Sequence, residues 1–170
     1  MASEAPLERK YSRCGPCINQ DLTMKVSTDN LNVLFLQIHK VIEETADNVA
    51  TSLTNHSAAD SISYPPNGGL TELEIESLNT IKSDDNLKSG LRKVIADSCA
   101  FVVFDLLSNI DGVSDPETDF EKWKGIKLVD NSDDIEAPDD LMLHDKLYDS
   151  YWDWRKRREN KKWKLDNHVD

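Results

Sequence analysis

The chain has 170 residues, and its 38% hydrophobic and 31% charged content allow one core beneath a heavily charged surface. A formal net charge of −12 excludes general binding of a phosphate backbone by the body and favours a basic protein partner. No run approaches the roughly 18 apolar residues that cross a bilayer, and three cysteines do not form a disulfide framework. We therefore expect a cytoplasmic protein without membrane association.

Residues 1–25 are predicted to form a flexible N-terminal tail, because they lack apolar periodicity and contain Pro6, Gly15 and Pro16. Met24 is an alternative start, so the pattern leaves open whether residues 1–23 are native. The segment Cys14-Gly15-Pro16-Cys17 matches a thioredoxin-like redox motif. No strand precedes it and no βαβ pattern follows, so we predict neither redox activity nor a zinc site here.

The first helix is predicted to begin between Ser27 and Asp29, since Ser, Thr and Asp are good N-caps. Apolar residues then recur at three- and four-residue steps and form one stripe of about seven turns. These residues are Leu31, Leu34, Phe35, Ile38, Val41, Ile42, Val49 and Leu53. Residues 54–69 are polar and contain Pro65 and Pro66, which predicts a connector.

The second helix has the clearest start signal. Thr71 and Glu74 have the spacing of a capping box, and Leu70 and Ile75 that of a hydrophobic staple. The run from Ser83 to Asn86 then ends this helix and caps the next.

The third helix, residues 87–110, is predicted to be the centre of the protein. Its apolar residues extend almost all the way around the helix, a pattern typical of a helix buried by its neighbours. Gly112 is well placed for the left-handed position that ends such a helix. A buried strand is the competing interpretation for the β-branched part, but the length of the periodic pattern favours a helix.

Residues 114–138 are acidic and poor in core residues, which predicts a long loop in which residues 126–129 form a short strand or a packed segment. The fourth helix is predicted to begin at Asp139 or Asp140 and to continue through Trp154. The fold is therefore expected to be all-α, with about four to five helices around helix 87–110. The domain is expected to span residues 26–155, and residues 156–170 to form a basic extension of the last helix.

Asp97 and Asp105 stand eight residues apart on the third helix with Phe101 between them. If that helix is buried, the two carboxylates and His144 form a possible buried polar site, as a general acid or a ligand site requires. The alternative is that each carboxylate bonds Arg92 or a Tyr or Trp side chain and is structural, which we favour. Metal-binding and phosphate-binding motifs are not apparent, so we expect no metal, no cofactor and no catalytic residues.

The segments LRKVIADSCAFVVFDLLSNIDGVSDP (residues 91–116), LHD (143–145) and YDSYW (148–152) resemble parts of small acidic all-helical bacterial proteins. Some proteins of this kind accompany toxins as immunity proteins. The resemblance implies a binding role and identifies no site.

The charge pattern supports the same role. Residues 111–153 contain 14 acidic residues against 4 lysines, whereas residues 155–164 contain 7 basic residues against one glutamate. The leading hypothesis is a non-enzymatic binding protein of the immunity or inhibitor type that neutralises a basic protein such as a toxin. The predicted contacts are Asp130, Asp133, Asp134, Glu136, Asp139 and Asp140, with Trp123 as an aromatic anchor.

Two other hypotheses remain open. The first is a small helical enzyme or ligand-binding domain that uses Asp97, Asp105 and His144. The second is nucleic-acid association through the basic residues 155–164.

Overall fold

The computed structural model describes residues 25–66, 68–116, 122–131, 142–159 and 165–166. These residues are mainly helical, which confirms the predicted all-α fold. The α-helices in these ranges are α1 (Thr28–Thr54), α2 (Glu72–Leu78), α3 (Asp85–Ile110), α4 (Leu143–Asp149) and α5 (Tyr151–Arg157). A short 3₁₀-helix, Ala58–Ser61, lies in the connector after α1. The predicted tail lies outside the described residues, apart from Lys25.

Side-chain caps begin the first two helices where the sequence predicts them. Ser27 Oγ accepts a hydrogen bond from the backbone N–H of Asn30 at the start of α1, at 3.3 Å. Thr71 and Glu74 form the predicted reciprocal capping box of α2. Each of these contacts satisfies a backbone N–H that has no partner within the helix.

The ends of α3 also agree with the sequence. Asp84 Oδ1 accepts a hydrogen bond from the backbone N–H of Leu87 at 2.7 Å and caps the first turn. Beyond the last turn, Gly112 has a φ of +68°, in the left-handed region where glycine carries no Cβ penalty.

The core lies mainly between α1 and α3, which run antiparallel. Near the start of α1, Phe35 belongs to the same buried cluster as Leu107 from the end of α3. Further along α1, Ala46 packs in a second cluster with Ala96 from the first half of α3. Leu143 and Leu147 of α4 complete the first cluster and are almost fully buried. The helix α4 therefore covers the C-terminal half of α3.

The segment 122–131 is attached to the start of α1 by backbone contacts. Lys25 and Val129 form a parallel bridge, and the Asp130 N–H donates to the Lys25 carbonyl at 2.8 Å. Leu128 packs against the first core cluster. The predicted strand is thus an isolated bridge within the described part of this loop.

The predicted last helix is divided in two. The turn lies at Ser150, between α4 and α5, so the expectation of one continuous helix through Trp154 is wrong. Ser150 is buried, and its hydroxyl donates to the Leu147 carbonyl, three residues earlier, at 3.1 Å. The helix α4 begins at Leu143, after the extended backbone of Met142, so the predicted start at Asp139 or Asp140 is wrong.

Candidate functional site

One side of α3 is apolar and open to solvent. Val94 is 65% exposed and Leu106 is 60% exposed, and Phe101 and Val102 between them are also exposed. The expectation that α3 is buried on all sides is therefore wrong. Because α1 and α4 pack against the opposite side, where Ala96 and Leu107 are buried, this side has no covering helix among the described elements.

Asp97 and Asp105 lie on this open side, and both side chains are exposed. The expected burial of these carboxylates is wrong because each residue of a helix advances by about 100°, so Asp97 points away from the core position of its neighbour Ala96. Eight residues separate the two carboxylates, or about 12 Å along the helix axis. We define the α3 face as the exposed residues Val94, Asp97, Phe101, Val102, Asp105 and Leu106.

The chemistry of the α3 face is apolar and anionic. Its four apolar residues and two carboxylates occupy about half of the helix circumference, and α3 contains no lysine or arginine after Lys93. Contiguous exposed apolar surface rimmed by polar groups is typical of interaction sites. The α3 face can therefore accept a segment that presents apolar side chains together with cations.

His144 does not join Asp97 and Asp105. Its Nδ1 atom lies 2.6 Å from Asp111 Oδ2, which also accepts the His144 backbone N–H at 2.9 Å. Phe104 packs against the imidazole at right angles, with ring centroids 5.3 Å apart. The buried Asp111 carboxylate thus caps the start of α4 and orients His144, so the predicted interior site of three residues does not form. The sequence pattern did not predict this contact, because Asp111 and His144 are 33 residues apart in the chain.

A buried polar network joins α1 to α5. Glu43 Oε1 accepts a hydrogen bond from Arg158 Nη1 at 2.7 Å, with both side chains almost fully buried. His39 Nε2 lies 3.0 Å from Ser150 Oγ, one turn earlier along α1. Our sequence reasoning missed this network. The available signal was the spacing of Phe35, His39 and Glu43, which follow one another at four-residue steps and therefore share the buried face of α1.

The same network continues into the C-terminal residues. Tyr151 donates its hydroxyl to Asp166 Oδ2 at 2.6 Å, and Arg155 Nε donates to the same oxygen at 3.0 Å. Burial raises the pKa of the Tyr151 hydroxyl, and the hydrogen bond to Asp166 raises it further. Burial also lowers the pKa of His39, opposed by a hydrogen bond to the Leu147 backbone. These shifts favour the neutral forms of both rings.

Two of the predicted partner contacts fall within the described residues. Asp130 is half-buried and accepts the Ser27 backbone N–H at 3.1 Å, so it anchors the loop to α1 rather than lying free on the surface. Hydrogen bonds from Asn30 and Ser27 lower the pKa of this carboxyl. Trp123 is also half-buried. Outside the described residues lie Asp133, Asp134, Glu136, Asp139 and Asp140, so their role stays a prediction.

Three cations of the basic segment have acidic partners within the protein. Arg155 contacts Asp166, Arg158 contacts Glu43, and Lys156 Nζ lies 3.2 Å from the exposed Asp153 carboxylate. This pairing reduces the positive charge that the segment presents to a nucleic acid. Residues 160–164 of the segment lie outside the described residues.

Comparisons of the chain with protein families, curated proteins and solved structures find no match. Within the described ranges, no three His, Cys, Asp or Glu side chains are grouped as a metal site would require. None of the described helices has the length and apolar character needed to cross a membrane.

Proposed function

We propose that this protein is a non-enzymatic binding domain whose α3 face receives a basic amphipathic helix of a partner protein. The observation that supports this function is the solvent exposure of four apolar side chains beside Asp97 and Asp105, with no cation in the same stretch of α3. Helix-in-groove recognition uses apolar anchors spaced along one helical face. A partner cation at each end of its apolar face would then meet Asp97 and Asp105.

The apolar and charged parts of the α3 face have different roles in this binding. Phe101 lies between the two carboxylates and is the aromatic anchor, since buried aromatic residues contribute most of the affinity in protein interfaces. Asp97 and Asp105 accelerate encounter with a cationic surface and make the association weaken with salt. The net charge of −12 acts in the same direction at longer range.

Within this function, the immunity or inhibitor type is our more specific proposal. A highly acidic protein is the electrostatic complement of a basic toxin, and the resemblance in residues 91–116 covers the whole α3 face. The predicted contacts Asp133, Asp134, Glu136, Asp139 and Asp140 remain part of this more specific proposal. Blocking of the partner's activity is the property that distinguishes an inhibitor from a simple binding module.

The test is affinity capture from the native host with two charge-reversal variants. D97K/D105K changes the α3 face, and the matched control E76K/D149K reverses two exposed acids on α2 and α4. All four sites are exposed, so each substitution should change stability by less than about 0.5 kcal/mol. We expect native protein and control to retain the same basic protein at low salt, and D97K/D105K to retain at least about tenfold less.

Two results would contradict this proposal. One is equal retention of the partner by D97K/D105K and by the native protein, and the other is the absence of any specifically retained basic protein. Phe101→Ser tests the apolar half of the interface in the same assay. We expect this variant to lose more of the partner than high salt removes from the native protein. The purified partner then allows inhibition of its activity to be measured directly.

A further inference from the structure

A cleft of about 300 Å³ lies between α1 and the C-terminal end of α5. Its volume is at the lower end of the range of roughly 300–1,000 Å³ that holds small ligands in proteins. Glu43 of α1, Trp154 of α5 and Arg158 after α5 line it. This cleft is separate from the α3 face, so a ligand here is independent of the proposed partner.

Each of these three residues carries a buried polar atom without a hydrogen-bond partner. The atoms are Glu43 Oε2, Trp154 Nε1 and Arg158 Nε, and no group in the described part of the chain satisfies them. About nine in ten buried polar groups in proteins are paired, so three unpaired atoms on residues that line one cleft are unusual. The ion pair between Glu43 Oε1 and Arg158 Nη1 uses only one side of each charged group. Glu43 Oε2 and Arg158 Nε therefore remain for a ligand.

The unpaired atoms define the chemistry of that ligand. Arg158 Nε and Trp154 Nε1 are donors, which suit a carboxylate, whereas Glu43 Oε2 is an acceptor, which suits an ammonium group. Among the described residues, the remaining side chains that line the cleft are balanced in charge, with Lys40 and Arg157 against Glu44 and Glu159. A lining without net charge favours neither a simple anion nor a simple cation.

We propose that this cleft binds a small zwitterion of the α-amino acid class. The ligand carboxylate accepts hydrogen bonds from Arg158 Nε and Trp154 Nε1, and its ammonium group donates to Glu43 Oε2. The three protein atoms are screened from solvent in the free protein, so binding requires the side chains that cover them to move.

The test is a titration followed through the indole N–H of Trp154 in ¹H–¹⁵N NMR spectra. The probes are L-alanine, L-leucine and L-phenylalanine, each up to about 10 mM, which detects dissociation constants in the millimolar range. Each probe is paired with the acid that lacks its ammonium group and the amine that lacks its carboxylate. We expect a saturable shift with at least one amino acid, and at least about tenfold weaker binding of its two analogues. No saturable shift with any amino acid, or equal binding of an analogue, would overturn the proposal.

Two substitutions test the assigned atoms, with amino-acid binding followed by calorimetry. Glu43→Gln removes the charge but keeps the shape, and should weaken binding at least about tenfold. If this variant does not fold, Trp154→Phe tests the site alone, since it removes one hydrogen bond and should weaken binding about two- to tenfold. Trp152→Phe is the matched control, because Trp152 is exposed and does not line the cleft. Equal affinity of Trp154→Phe and Trp152→Phe would contradict the assignment.

Discussion

Removal of one member of the buried ion pair between Glu43 and Arg158 should destabilise the protein strongly. The two side chains are only 2% and 5% exposed, and Glu43 Oε1 lies 2.7 Å from Arg158 Nη1. Arg158→Met leaves a buried carboxylate without a counter-ion, a change that costs about 3–5 kcal/mol in proteins. Glu43 Oε2 and Arg158 Nε have no partner among the described residues, so the pair is imperfectly satisfied. We therefore expect the lower end, about 3 kcal/mol.

Replacement of both charges should restore stability. Glu43→Met combined with Arg158→Met removes two desolvated charges and fills the space with apolar atoms. Such replacements range from neutral to about 4 kcal/mol stabilising. We expect the double variant to be at least as stable as the native protein to within about 1 kcal/mol.

Urea denaturation at about pH 7, followed by circular dichroism, measures these changes. With a slope of roughly 2 kcal/mol per molar urea, Arg158→Met should lower the midpoint by about 1.5 M. The control is Lys156→Met, which removes the ion pair with Asp153, whose members are 75% and 64% exposed. It should change stability by less than about 0.5 kcal/mol. The reasoning fails if Arg158→Met costs less than about 1 kcal/mol, or if the double variant loses the sum of both single effects.

The stability of the protein should also fall as the pH decreases below about 6.5. Burial lowers the pKa of His39 from that value. Below it, the unfolded chain binds a proton that the native state does not, which favours unfolding. His39→Gln should flatten the fall of the urea midpoint between about pH 7 and pH 5, and an unchanged slope would assign the effect to other groups. In the core, Leu147→Ala should cost about 2–5 kcal/mol because this side chain is only 1% exposed. Leu106→Ala, at a side chain that is 60% exposed, should cost less than about 0.5 kcal/mol in the same denaturation experiment. Equal costs of Leu147→Ala and Leu106→Ala would contradict the assigned burial.

The positions of the helices could be predicted from the sequence where local interactions decide them. Ser27, Asp84 and the Thr71–Glu74 capping box act within four residues of the backbone groups that they satisfy, so their spacing is visible in the chain. The left-handed glycine at position 112 is a local signal of the same kind. The division at Ser150 was missed because the packing of that residue against His39 depends on a distant helix.

The candidate sites could not be predicted in the same way. Apolar residues surround α3 on nearly every side, so Asp97 and Asp105 did not by themselves show which side meets solvent. Only the positions of α1 and α4 leave Phe101 exposed and turn Asp97 and Asp105 from expected interior acids into surface groups.

Charge partners depend on tertiary structure for the same reason. Glu43 meets Arg158 across 115 residues of chain, and Asp111 meets His144 across 33. The sequence by itself determined a helical, acidic protein with defined helix starts, because capping and periodicity act over a few residues. Tertiary packing alone decided that the most apolar helix exposes an anionic face, because burial depends on which surfaces the other helices cover.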